Sequence, residues 1–337
     1  MNFGLSLWVS FFAVIALILL VFVGVAGANL NFLFGVIIPY AAFATFIVGI
    51  VYRVVKWGRS PVPFRIPTTA GQEKSLPWIK QNKIDNPSSA LGVFVRMAFE
   101  VLLFRSLFRS TKMELSEGTK LVYGSSKWLW AAALAFHWTF LTILIRHLRL
   151  FTEPVPTFVK QLESMDSFFQ VSLLGAPLLY ITNIVFLLAV TYLFLRRVVI
   201  PQVRYISLPA DYFPLLLILG IGITGVLMRY FIKVNVVGVK ELTMGLVSFN
   251  PKVPEGIGVL FYIHLFLVST LLVYFPFSKL THMAGVFLSP TRNLANNNRM
   301  KRHINPWNYP VKVHTYEAYE DEFREKMKEA RMPVEKE

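Results

Sequence analysis

Apolar residues fall along this chain in long uninterrupted runs. They do not follow the period-two or 3.6-residue alternation of elements half-exposed to water. Six runs predict membrane spans: Leu5–Val25, Phe32–Val51, Ser126–Leu148, Val171–Leu195, Tyr212–Ile232 and Ile257–Leu280. Crossing the hydrocarbon core takes about 20 helical residues. Backbone polar groups in lipid must be satisfied internally, so each run predicts a helix. The expected fold class is therefore all-α integral membrane, a six-helix transmembrane bundle. The link near Gly27–Asn31 is short and uncharged, which predicts a tight hairpin between the first two spans.

Polar residues collect between the runs, and unevenly. The segment from Arg53 to Lys120 is rich in cations, including Arg59, Arg65, Lys74, Arg96 and Arg109. Arg196, Arg197 and Arg204 follow the fourth span, and Arg292, Arg299, Lys301 and Arg302 follow the sixth. The other loops hold fewer cations. The positive-inside rule then predicts a multi-pass protein of the cell membrane with both termini in the cytoplasm. Ser89–Ser110 mixes charges with apolar residues and predicts an amphipathic helix on the cytoplasmic membrane surface. Pro61–Pro87 reads as an irregular loop, and the last stretch, with Glu317, Glu320 and Lys328, as a solvated charged helix or tail. The expected organisation is a hairpin over residues 1–56, a cytoplasmic loop over 57–124, a four-helix core over 125–283 and a basic, charged tail over 284–337.

Composition agrees with this reading. Mean hydropathy is +0.54, well above the range of water-soluble domains. The net charge of +15 would point to nucleic acid in a soluble protein; here loop cations account for it through orientation and lipid headgroups. The N-terminal run lacks a basic region before it and a cleavage site, and reads as a retained anchor. The chain has no cysteine, which excludes iron–sulfur ligation, disulfides and thioether haem attachment by this polypeptide.

Chemistry enters with the histidines. Of six, His303 and His314 lie in the basic tail, where solvation explains them. The other four lie on two spans: His137 and His147 on the third, His264 and His282 on the sixth. Ionisable residues within a span are costly and carry function more often than not. The third and sixth spans are antiparallel, so His137 meets His282 toward the cytoplasm and His147 meets His264 toward the outside. Two haems b, each held by two imidazoles, fit two such pairs. The intervals are 10 and 18 residues. Their mean of about 14 gives an iron–iron separation of roughly 21 Å at 1.5 Å per residue. Eighteen residues make about five turns and would put His264 and His282 on one face of one helix, whereas ten leave His137 and His147 about 80° apart. Zinc is a poorer match, because four histidines at two depths cannot reach one tetrahedral ion.

At these residues the chain resembles a known family. FHWTFLTILIRH, Phe136–His147, is similar to the haem-bearing helix of respiratory nitrate reductase gamma subunits; YFPFSKLTH, Tyr274–His282, is similar to the end of that family's last helix; and ADYFPLLLILGIGITG, Ala210–Gly225, resembles its penultimate helix. The resemblance covers roughly residues 125–290. It implies a NarI-like dihaem cytochrome b core with an extra N-terminal helix, exchanging electrons between membrane quinol, here menaquinol, and a cytoplasmic iron–sulfur subunit. It carries His137 and His282 over to the inner iron and His147 and His264 to the outer iron. The run RHINPW, Arg302–Trp307, and the long basic loop look most like the DsrM branch, cytochrome b subunits of the DsrMKJOP membrane complex linked to dissimilatory sulfite reduction. That branch implies four partners: an iron–sulfur subunit of the heterodisulfide reductase type (DsrK-like), a second quinone-interacting membrane subunit (DsrP-like), a multihaem cytochrome c (DsrJ-like) and an external ferredoxin-like subunit (DsrO-like). Arg146 stands where the nitrate reductase subunits have glycine near their quinol site, so that site does not transfer residue by residue.

Further candidates surround the histidines. Arg146 and Arg149 could meet outer haem propionates, and Lys160, Glu163 and Asp166 could line a quinol pocket. Lys127, Arg196, Arg197 and Lys279 could meet inner propionates; Arg229 lies near the outer end of the fifth span. Trp128, Trp130 and Trp138 read as interface-belt and packing residues, Ser125 and Ser126 as helix caps. No residue is expected to act as a catalytic acid, base or nucleophile outside a quinol site. Two rival readings remain: a proton-relaying transporter, which would need carboxylates within spans, and a passive membrane anchor. Within the redox reading, a nitrate reductase or heterodisulfide reductase subunit is the alternative to the sulfite-linked one.

Overall fold

The apolar runs fold into helices. The computed structural model describes residues 3–60, 78, 80–116, 118–167, 180–296 and 314–336. Arg65, Lys74 and the run Arg299–Trp307 lie outside them, as does the beginning of the fourth expected span. The chain forms two compact units, Met1–Gly58 with Phe94–Ser289, and Arg59–Val93 with Pro290–Glu337. Among the described residues six helices are long and apolar enough to cross a membrane. The protein is an all-α, multi-pass membrane bundle.

In the first unit, α1 (Phe3–Phe22) and α2 (Ile38–Gly58) join through a turn flanked by two π-helical segments, Val23–Gly27 and Leu33–Ile37. The turn closes with Leu30 N–H on the Gly24 carbonyl at 2.9 Å. Both π segments need a glycine: the Phe34 ring occupies the place of a Gly24 side chain, and the Tyr262 ring presses on Gly35. α3 (Ala90–Leu103) ends where Phe104 takes a left-handed conformation at φ 51°. α4 (Arg105–Phe108) follows. The last carbonyls of α3, which helix geometry leaves without partners, accept indole N–H groups from Trp130 (Leu103, 2.7 Å) and Trp138 (Leu102, 3.1 Å). Both tryptophans lie on the helix Lys127–His147, so they fasten α3 to it by hydrogen bonds as well as by the packing expected of them.

The next feature was not expected. β1 (Thr111–Ser116) and β2 (Lys120–Ser125) form an antiparallel hairpin in register from Thr111↔Ser125 to Ser116↔Lys120. Its signal was present as alternation, since Thr111, Met113 and Leu115 fall on one face and Lys112, Glu114 and Ser116 on the other. α5 (Lys127–His147) follows directly. Ser126 occupies its N-cap position but makes no side-chain capping bond, and Ser125 ends the strand, so neither caps as expected.

α6 (Thr157–Ser167) precedes α7 (Ile181–Val199). Tyr180 is extended, so α7 begins ten residues after Val171 and ends four after Leu195. α8 (Pro201–Ile206) leads into α9 (Pro209–Tyr230), which starts with proline and an Asp211 carboxylate accepting the Leu208 N–H at 3.1 Å. α10 (Val236–Val247) separates α9 from α11 (Val259–Tyr274). α11 is shorter than the expected sixth span. Pro276 lacks the N–H needed to continue it, and the chain passes through two 3₁₀ turns, Phe275–Phe277 and Lys279–Thr281, before α12 (His282–Gly285). His264 and His282 therefore do not share one continuous helix, contrary to the five-turn count.

α5 packs on α7, α7 on α9 and α9 on α11; α1 lies against α9 and α11, and α2 against α11. The two histidine helices, α5 and α11, have no comparable packing on each other. The four-helix core is an arc whose open side lies between them.

In the second unit, Asn296 donates its N–H to the Pro87 carbonyl (2.8 Å) and its side-chain amide to Asn86 (2.6 Å), near α13 (Pro290–Asn293). α14 (Tyr316–Glu329) is capped by Thr315 and is only partly solvated. Glu320 is buried and accepts the backbone N–H groups of Glu335 and Lys336, which departs from the fully solvated reading.

Candidate haem sites

The bundle brings the four intramembrane histidines together in two pairs. His137 on α5 faces His282 on α12, with ring centroids 6.0 Å apart and planes at 82°. His147, the last residue of α5, faces His264 on α11, with centroids 6.4 Å apart and planes at 12°. An imidazole nitrogen binds a first-row metal at about 2 Å and the ring centre lies about 1 Å further, so two imidazoles trans to one ion have centres about 6 Å apart. Both pairs have that separation.

Each ring is also prepared as a ligand. Nδ1 of His137 lies 2.7 Å from the Ala133 carbonyl, and Nδ1 of His147 lies 2.7 Å from that of Ile143. Nδ1 of His282 lies 2.9 Å from the Lys279 carbonyl. A carbonyl only accepts, so in each ring Nδ1 carries the proton and Nε2 keeps its lone pair. Nδ1 of His264 lies 2.9 Å from the Thr224 hydroxyl. That hydroxyl donates to the Gly220 and Ile221 carbonyls (2.8 and 3.0 Å), so its oxygen accepts from His264 and the same tautomer results. Oriented imidazoles of this kind are what metal-bound histidines use.

Helix geometry and the broken α11 fit each other. His137 and His147 project about 80° apart from α5. Two partners on one face of a straight helix could not meet both. The turns after Pro276 place His282 outside α11, so it is not bound to the face of that helix that carries His264. Between the two levels, Phe136 and Phe140 pack on Phe186, and the Phe186 ring fills the space beside Gly222. Gly225 lies 3.4 Å from His264 Cε1 as measured from where its side chain would begin, so a larger residue would crowd that imidazole. The Phe104 ring stands edge-on to His137 at 4.9 Å. Among the described residues no three His, Cys, Asp or Glu side chains surround one point. A haem would be held by two imidazoles, and each pair brings two together. The residues present fit the group.

The cations expected beside propionates are engaged within the protein. Arg146 binds Asp166 at 2.5 Å, with both side chains nearly buried, and its guanidinium lies 3.6 Å from the Tyr180 ring centre. Asp166 also accepts the Thr182 hydroxyl at 2.6 Å. Arg229 covers the same ring at 4.0 Å, so Tyr180 sits between two guanidinium groups. Its hydroxyl donates to Glu163 (2.9 Å), which also accepts from Arg149 (2.5 Å). Lys160 is exposed on α6. At the other pair, Lys279 binds Asp211 (2.8 Å), with Arg197 3.7 Å from the same carboxylate; Lys127 lies over the Phe108 ring, and Arg196 is half-buried. Sequence reasoning missed Thr224, Tyr180 and Asp211, because each serves a histidine or arginine on another element.

Residues 92–302 match the nitrate reductase gamma subunit family. The chain belongs to that family. Its matched segment contains all four paired histidines, and α1 and α2 lie ahead of it, outside the gamma subunit match. The chain is also similar to two named relatives, both Hdr-like menaquinol oxidoreductase cytochrome b-like subunits. The one from Archaeoglobus fulgidus is 44% identical over 282 residues, 82% of this chain and 83% of the relative. The one from Archaeoglobus profundus is 45% identical over 276 residues, 80% and 81% of the two chains. Both therefore extend beyond the length of the gamma subunit match.

Proposed function

We propose that this chain is the dihaem cytochrome b subunit of a menaquinol-oxidising membrane complex. The observation that carries the reading is the two opposed imidazole pairs, each at axial-ligand distance and each with Nδ1 already committed to a hydrogen bond. His137 and His282 would hold one haem, His147 and His264 the other. A bis-histidine haem, when bound, carries single electrons and leaves no coordination position for oxygen. Two such positions at different depths suit a protein that connects the two membrane faces. The cation-rich loops orient the His137–His282 pair toward the cytoplasm.

Menaquinol oxidation releases two electrons and two protons, so its site needs a lipid-accessible cleft and groups that take protons. A cleft of ≈ 230 Å³ lined by Thr142, Leu162, Met165, Asp166, Ile181 and Thr182 lies on the α5–α6–α7 face, and its Asp166 binds Arg146, the residue before His147. It is apolar except for the Asp166–Thr182 floor. Arg146 holds Asp166 in place, and Arg149, Glu163 and Tyr180 lead away from that level. Arg146 stands where the nitrate reductase subunits have a glycine near their quinol site, so a quinol site here would be built differently.

The names of the two relatives favour a complex of the heterodisulfide reductase type over a nitrate reductase. Within that class we place the chain in the DsrM branch, passing electrons to a DsrK-like iron–sulfur subunit in dissimilatory sulfur and sulfite respiration. DsrP-, DsrJ- and DsrO-like subunits complete the complex. The test is reduction of the intact complex by a soluble menaquinol analogue, followed at the haem α band. The reading predicts reduction that slows when Asp166→Asn or Arg146→Gly is introduced. A complex that dithionite reduces but the quinol analogue does not would remove menaquinol as its donor.

A further inference from the structure

His282 differs from the other three histidines in how it is held. His137 and His147 bond to carbonyls one helical turn back on an unbroken α5, and His264 sits within α11. His282 follows two tight turns and an extended Ser278 (φ −117°, ψ 178°). Its Nδ1–H donates to the carbonyl of Lys279, only three residues back, at 2.9 Å. The direction of the imidazole is therefore as fixed as the Lys279 peptide, which heads a single 3₁₀ turn and whose carbonyl also accepts the His282 backbone N–H.

A side chain restrains that peptide further. The Lys279 side chain is 70% exposed, yet its ammonium lies 2.8 Å from Oδ1 of Asp211, whose side chain is 7% exposed. Asp211 is anchored in turn: its Oδ2 accepts the Leu208 N–H at 3.1 Å, and Arg197, itself bound to the Ser207 hydroxyl at 3.1 Å, approaches it at 3.7 Å. α9, which carries Asp211, packs on both α7 and α11. A flexible, exposed lysine is thus tied to a buried carboxylate on a rigid helix, at the residue whose carbonyl aims the ligand. Exposed ion pairs contribute little to overall stability. This one restrains a direction.

We propose that the Asp211–Lys279 pair is a strut that sets the orientation of His282, and with it the near-perpendicular arrangement of the His137 and His282 rings. The inference rests on the haem reading above. Asp211 and Lys279 are positioning residues, and neither needs to touch the porphyrin. Imidazole planes at a large angle leave the two π-type d orbitals of ferric iron nearly degenerate and give a highly anisotropic low-spin signal. Nearly parallel planes, as at His147 and His264, split those orbitals and give a less anisotropic one. Removing the strut frees the His282 ring to turn and alters one signal of the two.

The experiment introduces Asp211→Asn and Lys279→Met separately into the whole complex, with Asp211→Glu and Lys279→Arg as conservative partners. Electron paramagnetic resonance of the oxidised protein and potentiometric titration of the haem bands are the readouts. The strut predicts that Asn and Met each shift the low-field feature and the midpoint potential of one haem and leave the other haem unchanged. Glu and Arg should keep the wild-type values. Unchanged signals in both Asn and Met variants would overturn the proposal, as would equal shifts at both haems, which report general loosening. If Asp211→Asn fails to accumulate, Lys279→Met decides alone, because Asp211 retains Arg197 and the Leu208 N–H. A complex purified without haem would defeat the functional reading itself, whereas two haems with indifferent spectra would defeat only the strut.

Discussion

At the scale of single residues, the site depends on hydrogen bonds that choose a tautomer. Three histidines use backbone carbonyls, which no substitution removes. His264 uses the Thr224 hydroxyl at 2.9 Å. Thr224→Val keeps the shape and deletes that acceptor, leaving the buried N–H only the Ile221 carbonyl. Loss of such an outer-shell bond costs about 10–100-fold in metal affinity or activity. Haem bound at the His147–His264 pair should therefore dissociate at least tenfold more readily on detergent dilution, while haem at the other pair stays. Equal retention at both pairs would contradict the role given to Thr224. The histidines themselves were legible because an ionisable residue in an apolar run has a cost that needs a reason. Thr224, Tyr180 and Asp211 were not, because a threonine or tyrosine in a span and an aspartate at a helix start are ordinary until their partners are known. Arg146 and Lys279 are sequence candidates for propionate contacts, but the carboxylates that hold them stand 20 and 68 residues away in sequence.

At the scale of elements, the decisive feature is the break in α11. The apolar run continues past Tyr274, so hydropathy alone extended the helix to Leu280. Pro276 stops it, and the break frees His282 from the face of α11 that carries His264. The break is braced from α2: Arg53 Nε donates to the Pro276 carbonyl at 2.9 Å, and Gly49 lies against the proline ring. A side chain at Gly49 would begin 2.5 Å from Pro276 Cβ, closer than atoms tolerate. Overpacking of this kind costs about 1–3 kcal/mol. Gly49→Ala should lower the thermal midpoint of the purified protein and perturb the His282 haem first. Gly58→Ala, where nothing lies within 4 Å, is the matched control and should do neither. If the two variants melt alike, the brace is not what holds the turn. The β1–β2 hairpin shows the opposite error. Its period-two pattern is present over the six residues of β1, but β2 carries Leu121, Val122 and Tyr123 in a row, and one short alternating strand in a charged loop carries little weight.

At the scale of the whole molecule, six apolar helices arrange four of their number in an arc and line the open side with imidazoles. The number of spans and their order follow from hydropathy, because lipid leaves the backbone no alternative to helix. Which helices touch does not follow, since lipid tails are as apolar as the side chains and packing rather than burial selects neighbours. Orientation is a separate claim, resting on loop cations, and the absence of cysteine makes it easy to test. A thiol at Ser116→Cys should be shielded from an impermeant maleimide in intact cells, and one at Ser248→Cys should react. The reverse pattern would invert the assignment of inner and outer pairs. The central claim is tested most directly by haem stoichiometry in purified protein, read from the reduced-minus-oxidised spectrum. The account predicts about two haems b per chain, with about one lost in His137→Ala and the other lost in His264→Ala. Undiminished haem in both variants, or none in the native protein, would contradict it.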